Sequence, residues 1–137
     1  MANTPQFQKH IYRLNEVSGY YEKTSAPVGF IKLPNELRLE TPHRNDYKEK
    51  AKFILRGRII NGKYSFFTGL KETGFQNLYF GDHFHPQEKT KNSFCLFRFN
   101  HTSTEVTVFY FNHYTLFPKF RDRFIKQFMN RENDGAE

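Results

Sequence analysis

The sequence predicts an α+β domain, an antiparallel sheet of about four to six strands with one C-terminal helix packed on it. Three observations lead there: an Asn61-Gly62 turn between the alternating segments of 51–70, a second alternating pair in 93–114, and apolar residues at helical spacing over 117–131. A chain of 137 residues falls within the usual size of one domain, so residues 1–137 read as a single domain. Its polar ends, about 1–10 and 132–137, show no period and are expected to fray. Seventeen Phe and eight Tyr supply large buried areas, which offsets a hydrophobic fraction of only 37%.

Between 11 and 47 the pattern is mixed, with short strands expected at 28–33 and 36–40, separated by Pro34 and closed by Pro42. The first hairpin is sharper. Asn61-Gly62 suits a two-residue type I′ turn, in which both residues take positive φ. Pairing outward from it sets Ile59 opposite Tyr64, Gly57 opposite Phe66, Leu55 opposite Thr68 and Phe53 opposite Leu70 on one apolar face. The other face carries Lys50, Lys52, Ile54, Arg56, Arg58 and Ile60, with Lys63, Ser65, Phe67 and Lys71 on or beside the partner strand. Lys48 joins this row if the strand begins earlier.

The second hairpin turns through His101-Thr102-Ser103-Thr104. Cys95, Phe97, Phe99, Val106, Val108 and Tyr110 fall on one side, and Phe94, Leu96, Phe109 and Phe111 on the other, with Arg98 and Thr107 as polar interruptions. Both sides are largely apolar, so these are expected to be central strands. The cover is the segment 117–131, where Phe117, Phe120, Phe124, Ile125 and Phe128 recur at helical spacing and Pro118 suits the first turn. Lys119, Arg123 and Lys126 share its far side, whereas Arg121 falls within the apolar arc; there its stem can pack while the guanidinium reaches a carboxylate or the rim.

Twenty-one Lys and Arg against fourteen Asp and Glu give a formal charge of +7, which favours anionic partners and also serves solubility. Cys95 is the single cysteine, which excludes an intramolecular disulfide and a multi-cysteine zinc site. With no secretory pattern at the start and no window of membrane-spanning length, the expected location is cytoplasmic and no membrane partner is expected. Neither a dinucleotide-binding nor a P-loop glycine pattern occurs, and no cofactor is expected.

Several constellations could carry chemistry. His83 and His85 stand two apart, which in a strand sends both to one side; with Asp82 and Glu88 they offer nitrogen and oxygen ligands for zinc, manganese or iron, or else form a polar loop between hairpins. A toxin-like, metal-independent ribonuclease would draw a base, an acid and phosphate-stabilising cations from His83, His85, His101, His113, Tyr64, Tyr110, Arg98 and Arg121, although no spacing singles out a catalytic pair. Cys95 in an apolar strand is expected to be inert packing, and Ser93 has no elbow of glycines around it.

The leading expectation is therefore nucleic-acid binding, RNA or single strands rather than duplex DNA, since no helix-turn-helix or zinc finger occurs. Lys48, Lys50, Lys52, Arg56 and Arg58 would pair with phosphates and Phe67 would stack on a base. Lys119, Arg123 and Lys126 form a possible second patch. The same basic face could instead capture an acidic protein.

Overall fold

The computed structural model describes residues 6–24, 33–41, 51–57, 66–67, 69–84, 92–111 and 114–135. Among them lie nine strands and one helix: β1 (Phe7–Leu14), β2 (Tyr21–Lys23), β3 (Glu36–Glu40), β4 (Ile54–Gly57), β5 (Phe66–Phe67), β6 (Lys71–Glu72), β7 (Leu78–Phe84), β8 (Asn92–Phe99), β9 (Glu105–Phe111) and α1 (Pro118–Gly135). The α+β class holds, but the sheet is larger than the four to six strands expected. Every pairing is antiparallel, in the order β5-β4-β3-β2-β1-β9-β8-β7-β6, and β5 also pairs with β7. The sheet thus curls until its ends meet, which satisfies edges that would otherwise stay open.

The curl divides the apolar residues into two cores. Inside it, Tyr12, Tyr21, Leu37, Leu55, Leu70, Cys95, Phe97, Val106, Val108 and Tyr110 form one buried cluster. On the outer surface Leu78, Phe94, Leu96, Phe109 and Phe111 form another with Leu116, Ile125 and Phe128 of the C-terminal segment. The two sides of 93–114 fall as expected. Cys95 and Tyr110 are paired, as are Phe97 and Val108, on the inner side; Leu96 pairs with Phe109 and Arg98 with Thr107 on the outer. β8 and β9 are central strands, covered on both faces. Their turn is held by Asn100, whose Oδ1 accepts the Glu105 N–H at 3.0 Å, while Ser103 takes the left-handed conformation at φ 58°.

β1 starts at Phe7, inside the stretch expected to fray, and pairs along its length with β9. Composition misleads here because the inner residues of β1 include His10 and Tyr12, both fully buried, which read as polar in a sequence window. Phe7 adds ring contacts to Phe109, Phe111 and Phe128 on the outer side. At the other end α1 runs on to Gly135, past the expected end at 131. β3 coincides with the strand expected at 36–40.

The first hairpin differs from expectation in register. Phe53 pairs with Leu70 as expected, but Arg56, not Gly57, pairs with Phe66. Two residues (54, 55) separate these positions on one strand and three (67, 68, 69) on the other, so the returning segment holds one extra residue, a bulge. Gly69 sits in it, where a Cβ would overlap the Cβ of Ala51. The Asn61-Gly62 turn, the Ile59–Tyr64 and Leu55–Thr68 pairs, and most of the strand expected at 28–33 lie outside the described residues.

Candidate nucleic-acid interface

Helix α1 owes its amphipathic character to apolar residues three and four apart, of which Ile125 and Phe128 are buried and Phe124 packs edge-on against Phe94 and Phe111. Arg121 lies in this apolar arc as expected, but its guanidinium meets no carboxylate among the described residues. It rests 4.5 Å from the Phe80 ring centroid, and Nη2 donates to the Leu116 carbonyl at 3.2 Å. A ring face and a backbone carbonyl compensate the charge where water is partly excluded.

On the opposite side Lys119, Arg123 and Lys126 are all exposed, and none forms an ion pair among the described residues. Lys119 and Arg123 are four residues apart and Arg123 and Lys126 three apart, so like charges are neighbours, an arrangement that weakens an isolated helix. The first turn contains no acidic residue, and Lys119 stands at the end where the helix dipole disfavours cations.

Beside this stripe two large rings face solvent, which corrects the expectation that they cover the sheet. Phe117 is 67% exposed and Phe120 46% exposed. The Lys119 ammonium lies 4.9 Å from the Phe120 ring centroid, so ring and charge already adjoin. The signal was available in the sequence: Phe117 precedes Pro118 and so lies before the helix, and Phe120 is three residues from Arg123, toward the cationic side of the wheel.

The hairpin face is less uniform than its lysines and arginines suggest. Lys52 and Arg56 are exposed, but Arg56 Nε is 2.9 Å from Glu40 Oε2. Arg38, paired with Arg56, lies over the Tyr20 ring at 5.8 Å. The neighbouring strands add Glu22, Glu36 and the Arg13–Glu105 pair at 3.3 Å, so acids and bases alternate around this surface. Position 66, rather than 67, stands opposite Arg56, and position 67 pairs with His83; the Phe67 side chain is not among those described. Lys48, Lys50 and Arg58 lie outside the described residues.

Among the described residues considered for acid–base chemistry, His83 and Tyr110 adjoin, but Arg98, Arg121 and His101 do not join them. His83 is buried inside the curl, with its ring 5.4 Å from that of Tyr110. Arg98 and Arg121 lie on the outer surface over Phe109 and Phe80, with the sheet between them and the His83–Tyr110 pair. His101 is in the exposed turn after β8. Tyr64, His85, Glu88 and His113 lie outside the described residues, and among those described no cluster of three metal-binding side chains occurs.

The inner row nevertheless holds one group that sequence reasoning missed, His10, fully buried and two residues from Tyr12, which pairs with Lys23 across β1 and β2. Burial and then the positive charge of Lys23 lower its pKa from 6.5 to about 4. Burial also lowers that of Lys23, whose Nζ donates to the Leu33 carbonyl at 3.0 Å. Cys95 is fully buried, and burial followed by the nearby Asp82 charge pushes its thiol well above the ordinary range, which agrees with an inert packing role. Comparison with protein-family models, with curated proteins and with solved structures finds no match to this chain, so its own geometry must supply the functional reading.

Proposed function

We propose that the protein binds nucleic acid, RNA or single strands rather than sequence-specific duplex DNA, through the outer side of α1. The observation that carries this reading is the stripe of Lys119, Arg123 and Lys126, exposed and free of carboxylate partners among the described residues, at the edge of which two phenylalanines stand in water. Phosphates would relieve the repulsion between neighbouring cations and release counterions from the polyanion. The net charge of +7 supports attraction at longer range. Lys52 and Arg56 serve at most as an auxiliary contact, since Arg56 already holds Glu40.

The test is the affinity of the full chain for a short labelled RNA across a salt series. Neutralising three phosphates of a single strand gives a log–log slope of about −2. Lys119→Glu, Arg123→Glu and Lys126→Glu together should remove most of that slope and weaken binding at low salt by about tenfold or more, whereas Lys52→Glu with Arg56→Glu should do less. Circular dichroism of each variant checks that the fold survives. A salt-independent affinity, or a triple variant that binds like the parent, would remove the reading.

A further inference from the structure

We infer that Phe117 and Phe120 form a stacking platform for the bases of a single strand whose phosphates lie along Lys119, Arg123 and Lys126. The inference rests on the reading above and adds what chooses the strand. Among the described phenylalanines, Phe94, Phe97, Phe99, Phe109, Phe111 and Phe128 are buried, while Phe7 and Phe75 are exposed at the margin, at 36% and 38%. Phe117 and Phe120 are more exposed than either, and they stand together at one end of one helix.

Phe117 occupies the position just before the helix, where Ser, Thr, Asp or Asn would accept a backbone N–H and strengthen the helix start. Its backbone carbonyl accepts the Phe120 N–H at 3.0 Å, but the side chain caps nothing and packs little. An apolar ring kept at that position, with another one helical turn on, is a pair of faces spaced along the surface that the cations line. Every base has a π-face, so such rings accept bases without reading sequence. In a duplex those faces are stacked within the helix and out of reach. The cations alone would hold either form; the rings favour the single strand.

The chain contains no tryptophan, which makes a direct readout possible. Phe120→Trp introduces the only indole, and its fluorescence should be quenched by a short oligoadenylate and unaffected by a duplex at equal phosphate concentration. Phe117→Leu with Phe120→Leu keeps apolar bulk and removes the π-faces; its affinity for oligoadenylate should fall by about tenfold or more, with heparin binding unchanged. If the double variant binds oligoadenylate like the parent while the charge-reversed triple variant does not, the platform is overturned and the nucleic-acid reading stands. If the triple variant also binds like the parent, both fail. Equal losses on oligoadenylate and heparin would mean that the leucines disturb the helix, and the unquenched indole would then decide against stacking. Capture of polyglutamate in preference to oligoadenylate would assign the surface to an acidic protein and overturn the platform.

Discussion

His10 shows how a single residue sets a pH limit on this fold. Its ring is fully buried and stays neutral down to about pH 4, whereas in the unfolded chain it takes up a proton near pH 6.5. Across that interval the unfolded chain binds more protons, so this contribution to stability is complete above about pH 6.5 and is lost as pH falls toward 4. The loss is on the order of 3 kcal/mol. Urea unfolding at neutral pH and near pH 4.5 should show a smaller acid destabilisation for His10→Gln than for the parent; the same loss in both proteins would exonerate His10. Tyr12, next on the same inner row, is fixed differently: its hydroxyl donates to the Pro34 carbonyl at 2.7 Å, and Tyr21 ties the opposite side by donating to the Ser103 carbonyl at 2.5 Å. These two polar aromatics bury their rings and satisfy their tips. That is why a chain of modest hydropathy fills the inside of the sheet.

Among the elements, the two hairpins differ in how fully their sequences specify them. The β8–β9 pair has apolar residues on both sides, and a one-residue slip would drive Arg98 and Thr107 into the inner core, so its register is strongly held. The β4–β5 pair has a weaker constraint. Its outer part keeps the Phe53–Leu70 pairing, and its inner part shifts by one residue through the bulge around 67–69 so that β5 can reach β7. Gly69 permits this by letting the chain pass against Ala51. Gly69→Ala should therefore destabilise the protein by about 1–3 kcal/mol, because the new methyl meets a side chain with no freedom to move. A denaturation midpoint equal to the parent's would show that the bulge relaxes at no cost. Helix α1 was legible in its inner side, its cationic stripe and the anomaly of Arg121, and only partly so in one respect: periodicity groups Phe117 and Phe120 with the buried rings, their places before the helix and toward the cations point the other way, and contact with the sheet decides which rings are covered.

At the scale of the whole molecule, closure of the sheet is uneven. β1, β7, β8 and β9 pair along most of their lengths, and α1 covers their outer side. β2 and β5 join their neighbours over only a few residues. Opening should follow that division. In hydrogen exchange, backbone amides in 94–98 and 106–110 are expected to be the slowest, and those of β2 and β5 to exchange through local opening well below the global unfolding free energy. Uniform protection across the strands would mean that the ring opens as one unit. The stable side is also the one that carries the cationic stripe, so the proposed ligand would bind a rigid surface and pay little ordering entropy.

What the sequence determined by itself was local: the alternation of 93–114, the strand at 36–40, the amphipathic 117–131 segment, the burial of Cys95 and the exposure of Lys119, Arg123 and Lys126. Each follows from a period of 2 or 3.6 that needs no distant partner. The tertiary structure decided the rest. It recruited β1 into the middle of the sheet, shifted the β4–β5 register to reach β7, buried His83 and His10 inside the curl, set Glu40 against Arg56, and left Phe117 and Phe120 in water. These outcomes depend on which surfaces meet across long stretches of chain, and burial of a side chain is a property of the pair of surfaces and not of the residue alone.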